Sequence, residues 1–266
     1  MTEEILRKIK QLPPLPESAI RIEEVYKDPD STFNDMAKIL EKDPLLTADI
    51  LKAANSPLYG FSREINAINQ AVGLFGMGTV RGFALASIVK KSFALDLTPY
   101  NITNAMFSDL SKKQHALTTS WCLKKENRLL GVLSPAAFLV EIGKVLIAQQ
   151  IMTDKKEEKF KIAMQELQDV EAAEREVIGT DTPEVSATIF AQWKFEEALV
   201  DVIRNCQNPD AAKEENKKAA QILHVVRVAV PINGIISNQS IEAAKELIEK
   251  YGLDMDSFDM ALENIK

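Results

Sequence analysis

Histidine is nearly absent from this chain: 266 residues contain two, His115 and His224. Cysteine is as scarce, with Cys122 and Cys206 far apart and no CxxC, HxxxH or HxxEH spacing anywhere. A metal centre that also keeps a position open for substrate needs several imidazoles, thiolates or carboxylates converging on one point. Two isolated histidines do not supply that set, and a lone histidine on a helix is usually a packed or capped side chain. The two cysteines read as reduced thiols of a cytoplasmic protein. The sequence also lacks an apolar run near the roughly 20 residues that a membrane helix needs. The start, Met1-Thr2-Glu3-Glu4, has neither a basic segment nor an apolar one, so no secretion signal is expected. Positive charge is concentrated nowhere. The 32 Lys and Arg are scattered among 39 Asp and Glu for a net charge of -7, which argues against a duplex-binding surface.

What is present is helix. Apolar residues recur at spacings of three and four, and few segments alternate with period two, so the expected fold class is all-α. With 46% hydrophobic residues, a chain of this length buries roughly 70–75% of its extended surface without staples. Leu12-Pro13-Pro14-Leu15-Pro16 is an extended lead-in, because its prolines remove donors and bias their predecessors away from helix. Helices are expected over 17–27, from a cap at Ser31 or Thr32, and over 45–54 after Asp43-Pro44, which supplies an N-cap and a first-turn proline. Residues 68–92 read as two helices with a turn near Gly76-Met77-Gly78. A second lobe begins with a helix over 104–125. Ser134-Pro135 starts the next, to about 152, and the charged stretch 154–170 reads as a surface helix with one buried face. Asp181-Thr182-Pro183-Glu184 is a start signal with capping-box character. Further helices run to 193, over 196–206 and over 211–230, and two more, 240–251 and 257–265, form a C-terminal tail over 236–266.

The N-terminal motifs, in order, are Leu12-Pro13-Pro14-Leu15-Pro16, Asp28-Pro29, Asp43-Pro44-Leu45-Leu46-Thr47 and Leu51-Lys52-Ala53-Ala54-Asn55-Ser56. Tyr59-Gly60, Ile68-Asn69-Gln70-Ala71-Val72 and Leu74-Phe75-Gly76 follow. Each is weak alone; their order and spacing resemble the HDOD domain, the HD-related output domain of bacterial signalling proteins. The resemblance is strongest over 12–93 and extends to about 206. It implies two helical lobes, 12–95 and 104–235, the second similar to the HD superfamily of metal-dependent phosphohydrolases. Those enzymes hold a metal through two histidines, an adjacent His-Asp pair and a further Asp, and the metal activates water.

Carried over residue by residue, the pattern is degenerate. His115 falls at the first histidine. The His-Asp pair before Ile142-Gly143-Lys144 reads Val140-Glu141. Thr182 stands where the Asp-His-x-Glu-Val string has its histidine. The paired histidines fall near Asn205 and Cys206, and the late Asp near Val230. The resemblance therefore implies a pseudoenzyme with no catalytic residues, no metal and no cofactor. It would regulate signalling through a protein partner in trans, through self-association, or through a vestigial ligand pocket in the groove near His115 and Glu141. Two alternatives stay open: a phosphohydrolase with an atypical site built on His115 and Glu141, and a nucleic-acid-binding regulator using the Gly76 turn, whose second helix offers Thr79, Arg81 and Lys90. Tyr59, Phe61 and Arg63, after Pro57, are candidates for a surface contact. Gly73-Leu74-Phe75-Gly76-Met77-Gly78 follows no strand and fits neither phosphate-cradling glycine pattern. Ser56 and Ser120 lack a nucleophile elbow, and Cys122 lies two helical turns from His115, too far for a dyad.

Overall fold

A computed structural model describes residues 1–60, 63–91 and 93–265. Fifteen α-helices and short 3-10 turns make up the described residues, with no strand among them. They are α1 (Glu3–Lys10), α2 (Glu17–Lys27), α3 (Phe33–Leu40), α4 (Pro44–Ala54), α5 (Ile68–Lys91), α6 (Asn104–Cys122), α7 (Leu130–Leu139), α8 (Gly143–Thr153), α9 (Glu157–Leu167), α10 (Val170–Ile178), α11 (Thr182–Gln192), α12 (Glu197–Asn205), α13 (Glu214–Ala229), α14 (Asn238–Tyr251) and α15 (Met255–Ile265).

Local chemistry sets most boundaries. Thr32 caps α3 in a complete capping box with Asp35. Asp43 accepts from the backbone N–H groups of Leu45 and Leu46, each at 3.0 Å, with Pro44 in the first turn of α4. Gly76 breaks α5 with φ +79° and ψ 161°, conformational space that glycine alone enters cheaply, so the two expected helices meet at this kink. At Asp181 the box is only half formed. The carboxylate accepts from Glu184 N at 3.0 Å, but the Glu184 side chain is engaged by Arg204 instead of the N-cap backbone.

Three stretches depart from the sequence reading. α1 and α10 were not expected. α7 begins at Leu130, so Pro135 lies inside the helix and does not start it. A proline at that position frees the carbonyl four residues earlier, and the Gly131 carbonyl accepts from Arg81 Nη1 at 3.0 Å. The missing backbone donor is thereby replaced by a guanidinium from another helix.

Helices α2–α5 form the first lobe and α6–α13 the second, with α5 against α7 as the main joint. α1 docks on α8 and α11 of the second lobe, and Trp193 Nε1 donates to the Pro13 carbonyl at 3.0 Å. The proline-rich lead-in is thus held on the second lobe before the chain enters α2 of the first. α14 packs on α13 and α15 on α6, and the fully buried Phe258 meets Trp121 edge to face at 5.0 Å. Two stretches, Ile68–Lys91 and Asn127–Thr153, are long and apolar enough by length and composition to cross a membrane, contrary to the sequence reading. Most of each is buried in the core, against other helices of this chain.

Arg81 pins the joint. Its side chain is fully buried. Nε and Nη2 donate to the two Glu23 oxygens at 2.6 and 2.9 Å, Nη1 donates to Glu196 at 2.9 Å, and the Tyr26 ring lies 4.2 Å away. Burial works against the charge, but Glu23 and Glu196 more than offset it. Arg81 and the buried Thr79 are therefore unavailable to a nucleic acid, which leaves Lys90 alone of the three side chains named for the DNA-reading alternative at the Gly76 turn.

Candidate functional site: a buried charge cluster

Of the positions matched to the HD pattern, Glu141, Thr182 and Cys206 converge, while His115 and Asn205 do not. Glu141 sits in the 3-10 turn between α7 and α8, and Thr182 is the first residue of α11. Gly143 holds these elements together. Its N–H donates to Ser186 Oγ at 2.8 Å, and Ser186 Oγ donates to the Val140 carbonyl at 2.6 Å. Val140 itself contributes only that carbonyl; its side chain is core. A Cβ on Gly143 would lie 2.5 Å from the Thr182 carbonyl oxygen and 2.9 Å from Ser186 N. Gly143→Ala is expected to destabilise the fold by about 1–3 kcal/mol through this overpacking, read by urea unfolding. An unchanged midpoint would mean that α8 and α11 separate freely.

Five charged side chains, Glu141 among them, meet here with little exposure. Arg227 Nε lies 2.8 Å and Nη2 3.3 Å from the Glu141 oxygens, and Nη2 also pairs with Glu171. Lys144 Nζ reaches Glu141 at 3.3 Å, Glu171 at 3.4 Å, Glu174 at 3.1 Å and Thr182 Oγ1 at 3.1 Å. Glu174 accepts from Tyr100 OH at 2.7 Å and from Thr182 N and Oγ1, both at 2.6 Å. Burial pushes the Glu141 carboxyl up, but Arg227 and Lys144 outweigh it and hold it below its ordinary range. The same two cations lower Glu171 against its burial. For Glu174 burial wins and its pKa rises, in spite of Lys144. Cys206, 3.6 Å from Arg227 Nη1, is pushed up by burial to about 11 and stays a thiol.

His115 lies apart from the cluster. Its neighbour Gln114 faces the cluster, donating to Glu141 at 3.3 Å and to the Val230 carbonyl at 3.1 Å. One residue along a helix turns a side chain by about 100°, so His115 points into the joint between the lobes. There it stacks on Phe138 at 3.9 Å and contacts Phe83 and Tyr59. Nδ1 lies 2.5 Å from Tyr59 OH and Nε2 2.8 Å from Ser134 Oγ. Burial holds its pKa well below the ordinary value, so the ring is a neutral structural element. The expected groove near His115 and Glu141 is therefore two separate places. A cavity of about 450 Å³ opens on Glu141, Lys144, Glu171 and Arg227, while another lies between the lobes beside Phe138. His224, on the rim of the first, is lowered to about 4 by burial and by Arg227 and is neutral at pH 7. Asn205 turns away to Asp201. Of the proposed surface contacts, Tyr59 packs against Phe75, Phe83 and His115, Arg63 is exposed, and Phe61 lies outside the described residues.

Lys144, Glu171, Glu174 and Arg227 were not among the expected site residues. The two cations did carry a signal: each is the single charge inside an apolar helical run, 142–151 for Lys144 and 223–230 for Arg227. Such a residue is buried with its helix and must find a carboxylate. Glu171 and Glu174 carry no such mark, because they lie in a stretch rich in charge throughout.

The cluster does not fit the metal that the HD pattern implies. It offers carboxylates but no imidazole, and the carboxylates already accept from Lys144 and Arg227. A dication among them would sit within a few ångströms of two fixed positive charges in a low-dielectric interior.

A two-lobed all-helical body whose second lobe converges part of the HD pattern on one buried point defines an HD-related output domain. The HDOD domain family matches residues 12–209, and the chain belongs to it. Solved structures with the same fold include a virulence factor from Campylobacter jejuni subsp. jejuni, 26% identical over 99% of this chain and 94% of that one, with a TM-score of 0.59. A candidate phosphohydrolase from Shewanella amazonensis is 24% identical over 99% and 93%, with a TM-score of 0.68. A candidate signal transduction protein from Marinobacter aquaeolei is 20% identical over 100% and 60%, with a TM-score of 0.70. A curated protein of Treponema pallidum, uncharacterised, is 29% identical over 73 residues, which is 27% of this chain and 14% of that protein.

Proposed function

We propose that this chain is a non-catalytic regulatory module of bacterial signal transduction. It works in the cytoplasm through contacts with a signalling protein in trans or with its own copies. The observation that carries the reading is the pairing of Lys144 and Arg227 with Glu141 and Glu171 at the point where Glu141, Thr182 and Cys206 converge. Cations of fixed position stand there with their counter-charges, and the carboxylates that a catalytic metal would need are engaged by them. A scaffold that keeps the enzyme's shape but fills its centre with ion pairs presents surfaces and pockets instead of a reactive group.

The test uses the full chain, purified without added metal. Bound Mn, Fe and Ni are measured by mass spectrometry, and hydrolysis of bis-p-nitrophenyl phosphate is followed with each metal added. The expected result is substoichiometric metal and no metal-dependent turnover. Stoichiometric metal together with turnover that Glu141→Gln abolishes would replace this reading with that of an atypical phosphohydrolase.

A further inference from the structure

The second cavity, between the lobes, takes no part in the charge cluster. Its volume is about 590 Å³, within the range of small-molecule sites. Four lysines line it: Lys52 from α4, Lys90 and Lys91 from the end of α5, and Lys112 from α6. One carboxylate, Asp49, lines it as well. That carboxylate is already engaged, by Ser87 Oγ at 2.6 Å and by Lys91 Nζ at 3.0 Å. No carboxylate among the described residues pairs with Lys52, Lys90 or Lys112. The cavity thus gathers a surplus of three positive charges in a chain whose net charge is -7. Phe83 and Phe138 are the aromatic residues of its lining.

Lys52 is exposed and Lys90 and Lys112 are half-buried, so the lysines remain open to solvent while their like charges disfavour one another. Three deeply buried cations elsewhere in this protein, Arg81, Lys144 and Arg227, each hold two or more carboxylates. Lys90 and Lys112 stand half-buried at a cavity wall with no carboxylate partner, and uncompensated charge gathered at a cavity marks a candidate binding site. We propose that the inter-lobe cavity binds a small organic phosphate of mononucleotide size. Lys52, Lys90 and Lys112 hold the phosphate, and Phe83 and Phe138 face the flat ring. Because α4, α5, α6 and α7 all contribute, the ligand would bridge the two lobes and fix their joint. This gives the regulatory reading a ligand, but it stands or falls separately, because binding is measured without any reference to hydrolysis.

Burial lowers the pKa of Lys90 to about 8, and Lys112 adds to the shift by repulsion. The other charged groups at the cavity are Asp49 and Lys52 on α4, and Lys91 on the same helix as Lys90. A bound phosphate favours the ammonium form, so affinity is expected to fall about tenfold between pH 7 and pH 9 as Lys90 gives up its proton.

The experiment titrates the full chain with each of the four ribonucleoside monophosphates, with the matching uncharged nucleosides and with inorganic phosphate, by calorimetry at low salt. At least one monophosphate is expected to bind roughly tenfold tighter than inorganic phosphate, and the nucleosides not to saturate. Lys90→Gln and Lys112→Gln should each weaken binding roughly fivefold or more, while Lys218→Gln, in a remote surface pair with Glu126, leaves it unchanged. If a variant fails to fold, acylation of Lys90 in the unaltered protein is read by mass spectrometry, and the monophosphate should suppress it. Binding that survives both cavity substitutions, equal affinity for inorganic phosphate, or no saturation by any monophosphate would each overturn the proposal.

Discussion

Arg227→Met is expected to destabilise the protein by about 3–5 kcal/mol, which lowers the melting temperature by roughly 10 °C for a chain of this size. The substitution conserves most of the volume, so the loss comes from charge. Glu141 and Glu171 would keep Lys144, at 3.3 and 3.4 Å, as their one cation, and Glu174 also shares it. Three largely buried carboxylates would then depend on one ammonium. Arg227→Lys is expected to recover only part of the loss, because one ammonium cannot reproduce the fork that meets Glu141 and Glu171 together. Adding Glu141→Gln to Arg227→Met should return some of the stability, and the double-mutant cycle should show coupling above about 1 kcal/mol. A loss below about 1 kcal/mol for Arg227→Met would mean that water reaches the cluster and that its ion pairs do not hold the second lobe.

Arg81→Met carries an effect of similar size, about 3–5 kcal/mol, at a different place. Here a single side chain serves four elements: Glu23 and Tyr26 on α2, the Gly131 carbonyl on α7, Glu196 at the start of α12, and its own α5. Removing it strands two carboxylates and re-exposes the carbonyl that Pro135 leaves without a backbone donor. Because these groups lie on both sides of the lobe joint, hydrogen exchange should accelerate in α2 and α7 together, more than in α14 and α15. Retention of native exchange in α7 would show that the joint is held by apolar packing of α5 on α7 and not by Arg81.

The two arginines and Lys144 illustrate how far the sequence could be read. A solitary cation in an apolar helical run announces that it will be buried, and so that a carboxylate must meet it. Which carboxylate cannot be read, because Glu171 and Glu174 come from α10, a helix that the charged composition around it conceals. His115 and Gln114 show the same limit. The family pattern places a histidine in this part of α6, but a shift of one residue decides between the charge cluster and the aromatic joint. That turn is settled by how α6 packs against α5, α7 and α13.

Helical class, the capped starts at Thr32 and Asp43, the break at Gly76, the family, and the poverty of imidazole are all properties of residue type and near spacing. The sequence determined these by itself, since capping, glycine's backbone freedom and periodic burial act within a few residues. Only the tertiary structure decided that Pro135 lies inside a helix, because the donor that satisfies the freed carbonyl comes from Arg81, fifty residues earlier. It alone separated the HD-like centre from the inter-lobe cavity, paired Lys144 and Arg227 with their carboxylates, and left Lys90 without one. Those outcomes depend on electrostatic partners brought together from distant helices, and such pairings exist only once the chain has folded.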